Sequence, residues 1–179
     1  MKKIKLILAF FLITIISSAQ NTEWTVTSSS VKFKIKNAGF TVDGDFGGLE
    51  TKIHFDAAKS YSNSIESSID AKTINTDNGS RDKHLKKEEY FSAEKFPRIS
   101  LNASTFSKQP DGSFKGYFKL TIKNITKDVV IPFTFEENSN AAIIKGSFAI
   151  NRRDFGVGGS SIILSDNATV NIELKLAKK

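Results

Sequence analysis

The chain has no cysteine and only two histidines among its 179 residues. The first absence excludes disulfides, thiol nucleophiles, iron–sulfur clusters and cysteine-ligated zinc, so an exported form must draw its stability from packing. It also removes the acylated cysteine that tethers a bacterial lipoprotein. His54 and His84 lie thirty residues apart, a weak basis for a metal site. Long apolar runs are scarce as well. The longest, residues 6–16, falls well short of the roughly 20 residues needed to span a bilayer. No later segment approaches that length, which predicts a soluble mature chain. Neither sign of charge dominates. There are 26 basic against 19 acidic residues, a net of +7 that falls to +4 without the three lysines at the N-terminus, too diffuse for a nucleic-acid partner and enough to favour slight, transient contact with an anionic membrane surface.

The one apolar run has the form of an address. Lys2, Lys3 and Lys5 precede it, and Ser17, Ser18 and Ala19 place small residues where a signal peptidase cuts. Residues 1–19 are therefore expected to be a signal peptide cleaved after Ala19, leaving a mature domain over residues 20–179 that is periplasmic or secreted. Losing three leader lysines lowers the net charge from +7 to +4. About 160 residues suit a single domain with a substantial core.

Along that domain the dominant pattern is alternation with period two. In "SVKFKIKN", Val31, Phe33 and Ile35 face one way and Lys32, Lys34 and Lys36 the other. The same pattern places Ile65, Ser67, Ile69 and Ala71 on one face, then Ile99, Leu101, Ala103 and Thr105. It continues with Phe118, Leu120 and Ile122, then Val129, Ile131, Phe133 and Phe135. Ile144, Phe148 and Ile150 follow, and Val170, Ile172, Leu174 and Leu176 close the chain. Turn residues at Pro110-Asp111-Gly112, Lys123-Asn124 and Asn138-Ser139-Asn140 join them at hairpin spacing, so the strands are read as antiparallel. With one apolar and one lysine-rich face each, about eight strands either close into a barrel or fold as a two-sheet sandwich. Gly44, Gly47 and Gly48 inside a strand pattern mark a bend at a barrel corner and favour closure.

"NGSRDKHLKKEEYFSAEKFP", residues 78–97, breaks the alternation. Ser80 is a candidate helix cap, Asp82 suits the first turn, and Lys86 and Lys87 lie toward the other end, predicting a short helical insertion near residues 80–90. Its apolar residues, Leu85, Tyr90, Phe91 and Phe96, fall late and suit one face laid across a barrel mouth. Asp82 and His84 point about 200° apart on a helix and form no dyad. No G-x-S-x-G motif accompanies His54. "FGVGGSS" lacks the Lys-Ser/Thr ending of a phosphate loop and reads as a turn. Of the fifteen phenylalanines, thirteen lie beyond the leader, and Phe33, Phe46, Phe55, Phe118, Phe133, Phe135 and Phe148 fall on inward faces. These faces fit either a filled core or an apolar tunnel, and composition does not separate the two.

The order of motifs resembles the YceI-like family of exported polyisoprenoid-binding proteins. Trp24 and "SSVKF" come first, then "GDFGGL" with "IHFD", "INTDNGSRDKHL", "YFSAEKFPRIS", "YFKLTIKNITK" and "RRDFG". The segment with Arg81, Asp82, His84, Leu85, Phe91, Phe96 and Pro97 is the most specific. Thr27–Ser30 departs from the Asp and His-Ser common ahead of that strand, and Asn124 stands where glycine is frequent. The resemblance implies an all-β, antiparallel, lipocalin-like barrel of about eight strands with one short helical insertion. Its interior would hold an isoprenoid, quinone or fatty-acid-like lipid, with no other cofactor and no metal. The ligand contacts it implies are Phe33, Phe46, Arg81, His84, Leu85, Phe91, Phe96, Phe118, Leu120, Phe133, Phe135, Phe148 and Phe155. Arg81 and His84 become candidates for a polar head group, although Arg81 with Asp82 also suits a structural hydrogen-bonding role. The expected function is non-enzymatic sequestration or carriage of a lipid, by a monomer or homodimer. The alternatives are a lipid-acting hydrolase or isomerase using His84 or His54, and a packed β-sandwich without a cavity.

Overall fold

The computed structural model describes residues 22–179; the expected leader lies outside them. Nine antiparallel strands follow one another: β1 (Glu23–Asn37), β2 (Phe40–Phe46), β3 (Glu50–His54), β4 (Ser64–Asp70), β5 (Arg98–Lys108), β6 (Phe114–Ile122), β7 (Ile125–Glu137), β8 (Ala141–Asn151) and β9 (Leu164–Lys178). Among the described residues one α-helix, α1 (Gly79–Leu85), lies between β4 and β5. From β3 onward each strand pairs with the next, and β9 returns to pair with β1 from Trp24 to Asn37. The ring therefore closes and leaves no sheet edge along β9.

The ring has eight members because β2 and β3 are two halves of one broken strand. Both pair with the same edge of β1 in a single register, Val31 opposite Phe46 and Trp24 opposite Ile53. The break falls at Gly47 and Gly48, whereas Gly44 stays inside β2, paired with Phe33. Gly48 has φ +63°, and a Cβ there would lie 2.8 Å from that of Asp70, so a side chain would meet both backbone strain and a clash. The outer edge of β2 is covered by residues 71–77. Asp45 and Asn75 exchange backbone bonds of 2.9 and 3.0 Å, and the Gly47 N–H donates to Thr73 Oγ1 at 2.8 Å.

Most of the alternation appears as read, with two local departures. A β-bulge between Ala103 and Thr105 moves the inward position on by one residue, so Phe106 is buried and Thr105 exposed. In the β6–β7 turn, where Asn124 stands at a position in which glycine is frequent, the left-handed residue is Lys123, φ +58°. The helix is shorter than expected and is capped by Asn78, whose side chain accepts from the Arg81 N–H at 3.0 Å; Ser80 lies inside it. Beyond Leu85 the chain runs through turns to Pro97, with Tyr90 and Phe91 packed against the cluster that holds Ile122 and Phe155.

Candidate functional site

The barrel interior is divided. At the end holding the start of β1, aromatic side chains fill it. Phe55 is 1 % exposed and packs against Phe106, Phe114, Phe133 and Phe135 at centroid distances of 4.8–5.6 Å, mostly edge to face. Trp24 meets Phe135 edge-on at 5.7 Å, and its indole N–H donates to the Phe55 carbonyl at 2.9 Å. That bond satisfies the polar end of an otherwise apolar plug.

Beyond the plug lies a cavity of ≈ 220 Å³. That is more than ten times what one water needs, roughly 10–15 Å³ on a similar measure, so it is ligand-sized and not a packing flaw. Phe118 and Phe133 meet it from the plug side. Phe33 and Ile35 of β1, Phe46 of β2, Ile69 of β4, Leu101 of β5, Leu120 of β6, Phe148 of β8, and Val170 and Ile172 of β9 form its wall. Several of these, among them Phe33, Ile69, Phe148 and Ile172, stay only half-buried although they point inward, in contrast to the plug. Gly44 sits opposite Phe33, and a Cβ there would come within 2.4 Å of the ring. The missing side chain leaves the Phe33 ring room over the strand.

The insertion covers the other end. Arg81, Leu85, Tyr90 and Phe91 reach the cavity, beside Val157 from the β8–β9 connection and Leu164 at the start of β9. Thr76, 4 % exposed, fixes this lid. Its N–H and hydroxyl donate to Asp82 Oδ1 at 2.9 and 2.6 Å, while Arg81 donates through Nε to the Thr76 hydroxyl and through Nη2 to its carbonyl, both at 2.7 Å. Among the described residues no carboxylate lies within ion-pair distance of Arg81. Its Nη1 group is therefore not committed to a carboxylate. Lys123 ties the lid to the barrel, donating to the carbonyls of Glu88 at 3.1 Å and Gly156 at 3.0 Å, and the Gly158 N–H donates to Glu89 at 2.7 Å. The buried Arg152 braces the β8–β9 connection through the carbonyls of Val157, Gly159 and Ser165, each at 2.9 Å, and through Asp166 at 3.1 Å.

Of the thirteen expected contacts, the cavity wall gathers Phe33, Phe46, Arg81, Leu85, Phe91, Phe118, Leu120, Phe133 and Phe148. Four fall elsewhere. Phe135 belongs to the aromatic plug. Phe155, 2 % exposed, packs under the lid with Ile122 and Val157. Phe96 lies at the lid's return to β5, with the Lys95 ammonium over its ring. His84 is half-exposed on the outer face of α1, 3.3 Å from Glu89 and edge-on to Tyr90 at 5.0 Å, because two residues' separation turns it away from Asp82 and the Thr76 clamp. His54 sits in β3 toward the plug end, opposite Glu23 and Ser64. Sequence reading passed over Thr76, Lys123, Arg152, Val42 and Leu164. Val42 was recoverable from its alternation with Gly44 and Phe46; the others act through contacts that form only once the loops fold back on one another. Among the described residues no cluster of three or more His, Asp or Glu is arranged to hold a metal.

Comparison with known proteins places these features in a family. A model of the YceI-like domain matches residues 24–176. A UPF0312 protein of Pseudomonas fluorescens is 32% identical over 138 residues, 70% of each chain. BcnA of Burkholderia cenocepacia superposes with a TM-score of 0.78 at 22% identity, over 82% of this chain and 95% of that one. A domain of Saccharophagus degradans, described as polyisoprenoid-binding and implicated in plant cell wall breakdown, superposes with a TM-score of 0.68 at 11% identity, over 89% and 99% of the two chains. The closed barrel, its lid and the matched span together make this chain a member of the YceI-like domain family.

Proposed function

We propose that the chain is an exported, non-enzymatic protein that sequesters or carries a long-chain isoprenoid or related amphiphile in its barrel. The observation that carries this reading is the division of the interior, with an aromatic plug at one end and a ligand-sized apolar cavity under the lid. A tail would run from Arg81 at the lid toward Phe118 and Phe133, and the Arg81 guanidinium would meet the polar head. The polyisoprenoid-binding description of the Saccharophagus degradans domain, which shares the fold, is in keeping with such cargo. Export rests on the cationic, apolar and small-residue order of residues 1–19.

Burying one CH₂ is worth about 0.8 kcal/mol relative to water, so a twenty-carbon tail gains on the order of 15 kcal/mol. A bilayer offers nearly the same, and the net preference for the barrel is small. Such a balance suits a carrier or buffer that must release what it holds. The test is native mass spectrometry of the purified mature chain before and after organic extraction, followed by an offer of prenols, quinones and fatty-acid derivatives. An extractable mass of several hundred daltons, lost in the folded variant Ala168→Phe whose ring would project into the cavity, is the expected result. A clean mass that takes up none of these ligands would overturn the reading, and turnover of an offered lipid that vanishes in His84→Ala would favour the enzyme alternative.

A further inference from the structure

The described residues expose six large apolar side chains: Phe40, Tyr61, Tyr117, Val130, Ile162 and Ile163. Tyr61 lies in the connection at the plug end, and Tyr117 and Val130 face each other across β6 and β7 on the outer wall. The remaining three meet at one place. Phe40 is 77 % exposed at the tip of the β1–β2 hairpin, and Ile162 and Ile163 are 104 % and 57 % exposed in the connection before β9. The two loops are joined by the Ala38 N–H, which donates to the Ile163 carbonyl at 2.8 Å. Their neighbours Asn37 and Leu164 pair across β1 and β9, and both line the cavity. An apolar prong therefore stands one residue outside the proposed cargo site, at the lid end and away from the plug.

We infer that Phe40, Ile162 and Ile163 form a bilayer-docking tip that seats the lid end of the barrel on an anionic phospholipid surface. The inference rests on the carrier reading for its purpose and on the exposed side chains for its location. Interfacial insertion of large apolar groups is favoured when cations flank them. The outer face of the same hairpin carries Lys32, Lys34 and Lys36, all exposed. Asp43 is paired to Lys34 at 3.4 Å, and Asp166 beside the second loop is paired to Arg152 and Arg153. Lys32 and Lys36 have no carboxylate within ion-pair distance among the described residues. These two free lysines complement an anionic surface. Docked by its tip, the barrel would present the lid end to the membrane, and a lipid leaving the bilayer would have little water to cross.

The experiment is flotation of the purified mature chain with vesicles of phosphatidylcholine and phosphatidylglycerol, and with phosphatidylcholine alone. The wild type should float with the mixed vesicles. The triple variant Phe40→Ser, Ile162→Ser, Ile163→Ser should lose at least about tenfold in partitioning, and Lys36→Glu should lose less. A control with the same kind of change elsewhere, Tyr117→Ser with Val130→Ser, should bind as the wild type does. Because the three side chains are exposed, thermal midpoint and uptake of detergent-delivered lipid should not change. Equal partitioning of triple variant and wild type would overturn the proposal, as would absent binding by the wild type. So would a wild-type dimer that the triple substitution turns into a monomer, which would assign the tip to a second copy of the chain. Tip-dependent flotation by a protein whose cavity takes up no lipid would support the docking surface and overturn the carrier reading instead.

Discussion

Thr76 anchors the lid by donating to Asp82 and accepting from Arg81, an arrangement that leaves its buried polar atoms bonded. The two charged partners are not equivalent. Asp82→Ala leaves a buried N–H and hydroxyl without their charged acceptor and should cost about 2–3 kcal/mol in urea unfolding, whereas Arg81→Ala should cost about 1 kcal/mol. Arg81→Ala should also weaken binding of an amphiphile with an anionic head about tenfold while leaving an uncharged hydrocarbon unaffected, since only the head loses a charge-assisted donor. At the chain's end the Lys179 ammonium, hydrogen-bonded to Glu23, holds that carboxyl below its usual range. The folded carboxylate is favoured, so this contact stabilises above the ordinary carboxylate pKa and is lost as pH falls through the lowered one. An NMR titration should show the depressed midpoint, and Lys179→Ala should return it upward. Sequence alone offered Arg81 and His84 as head-group contacts, and Arg81 with Asp82 as structural partners. The choice needed Thr76, five and six residues away and invisible as a partner until the lid folds back.

At the scale of elements the lid is a loop with about two turns of helix, held by bonds to loops far along the chain. A seven-residue helix is marginal by itself, so its position depends on the Thr76 clamp, the Asn75 bridge to β2, and Lys123. Lys123→Ala removes donors to two carbonyls at an exposed site. It should lower global stability by about 1 kcal/mol or less yet speed release of bound lipid, measurable by stopped-flow transfer to vesicles. Unchanged release would show that the lid does not gate the cavity. The strands themselves were legible, because each carries one apolar and one lysine-rich face. The errors fell where local geometry overrides period two: the bulge that exchanges Thr105 for Phe106, and the cap at Asn78, where Asn and Ser two positions apart are equally good side-chain acceptors.

For the whole molecule the division of the barrel predicts two different responses to one kind of substitution. Phe55→Ala removes a fully buried ring from the plug and should cost about 3–5 kcal/mol with little effect on lipid uptake. Phe148→Ala acts on a half-buried ring facing the cavity; it should cost well under that and shift which lipids are held, read by chemical unfolding beside mass spectrometry. Equal costs would contradict the division. What the sequence determined by itself was the all-β class, the antiparallel order and the inward face of nearly every strand, because alternation and turn residues are local properties. The glycine break between β2 and β3 was also legible, since only a few residues tolerate the conformation at Gly48. Thirteen phenylalanines beyond the leader could not reveal which would pack and which would line a space. That depends on the ring closing between β1 and β9, on Phe33 lying over Gly44, and on four rings converging on Phe55, contacts between positions eleven to more than a hundred residues apart. Tertiary structure decided where the barrel is solid and where it is hollow, because packing is fixed by neighbours in space and hydrophobicity along the chain says only which way a side chain points.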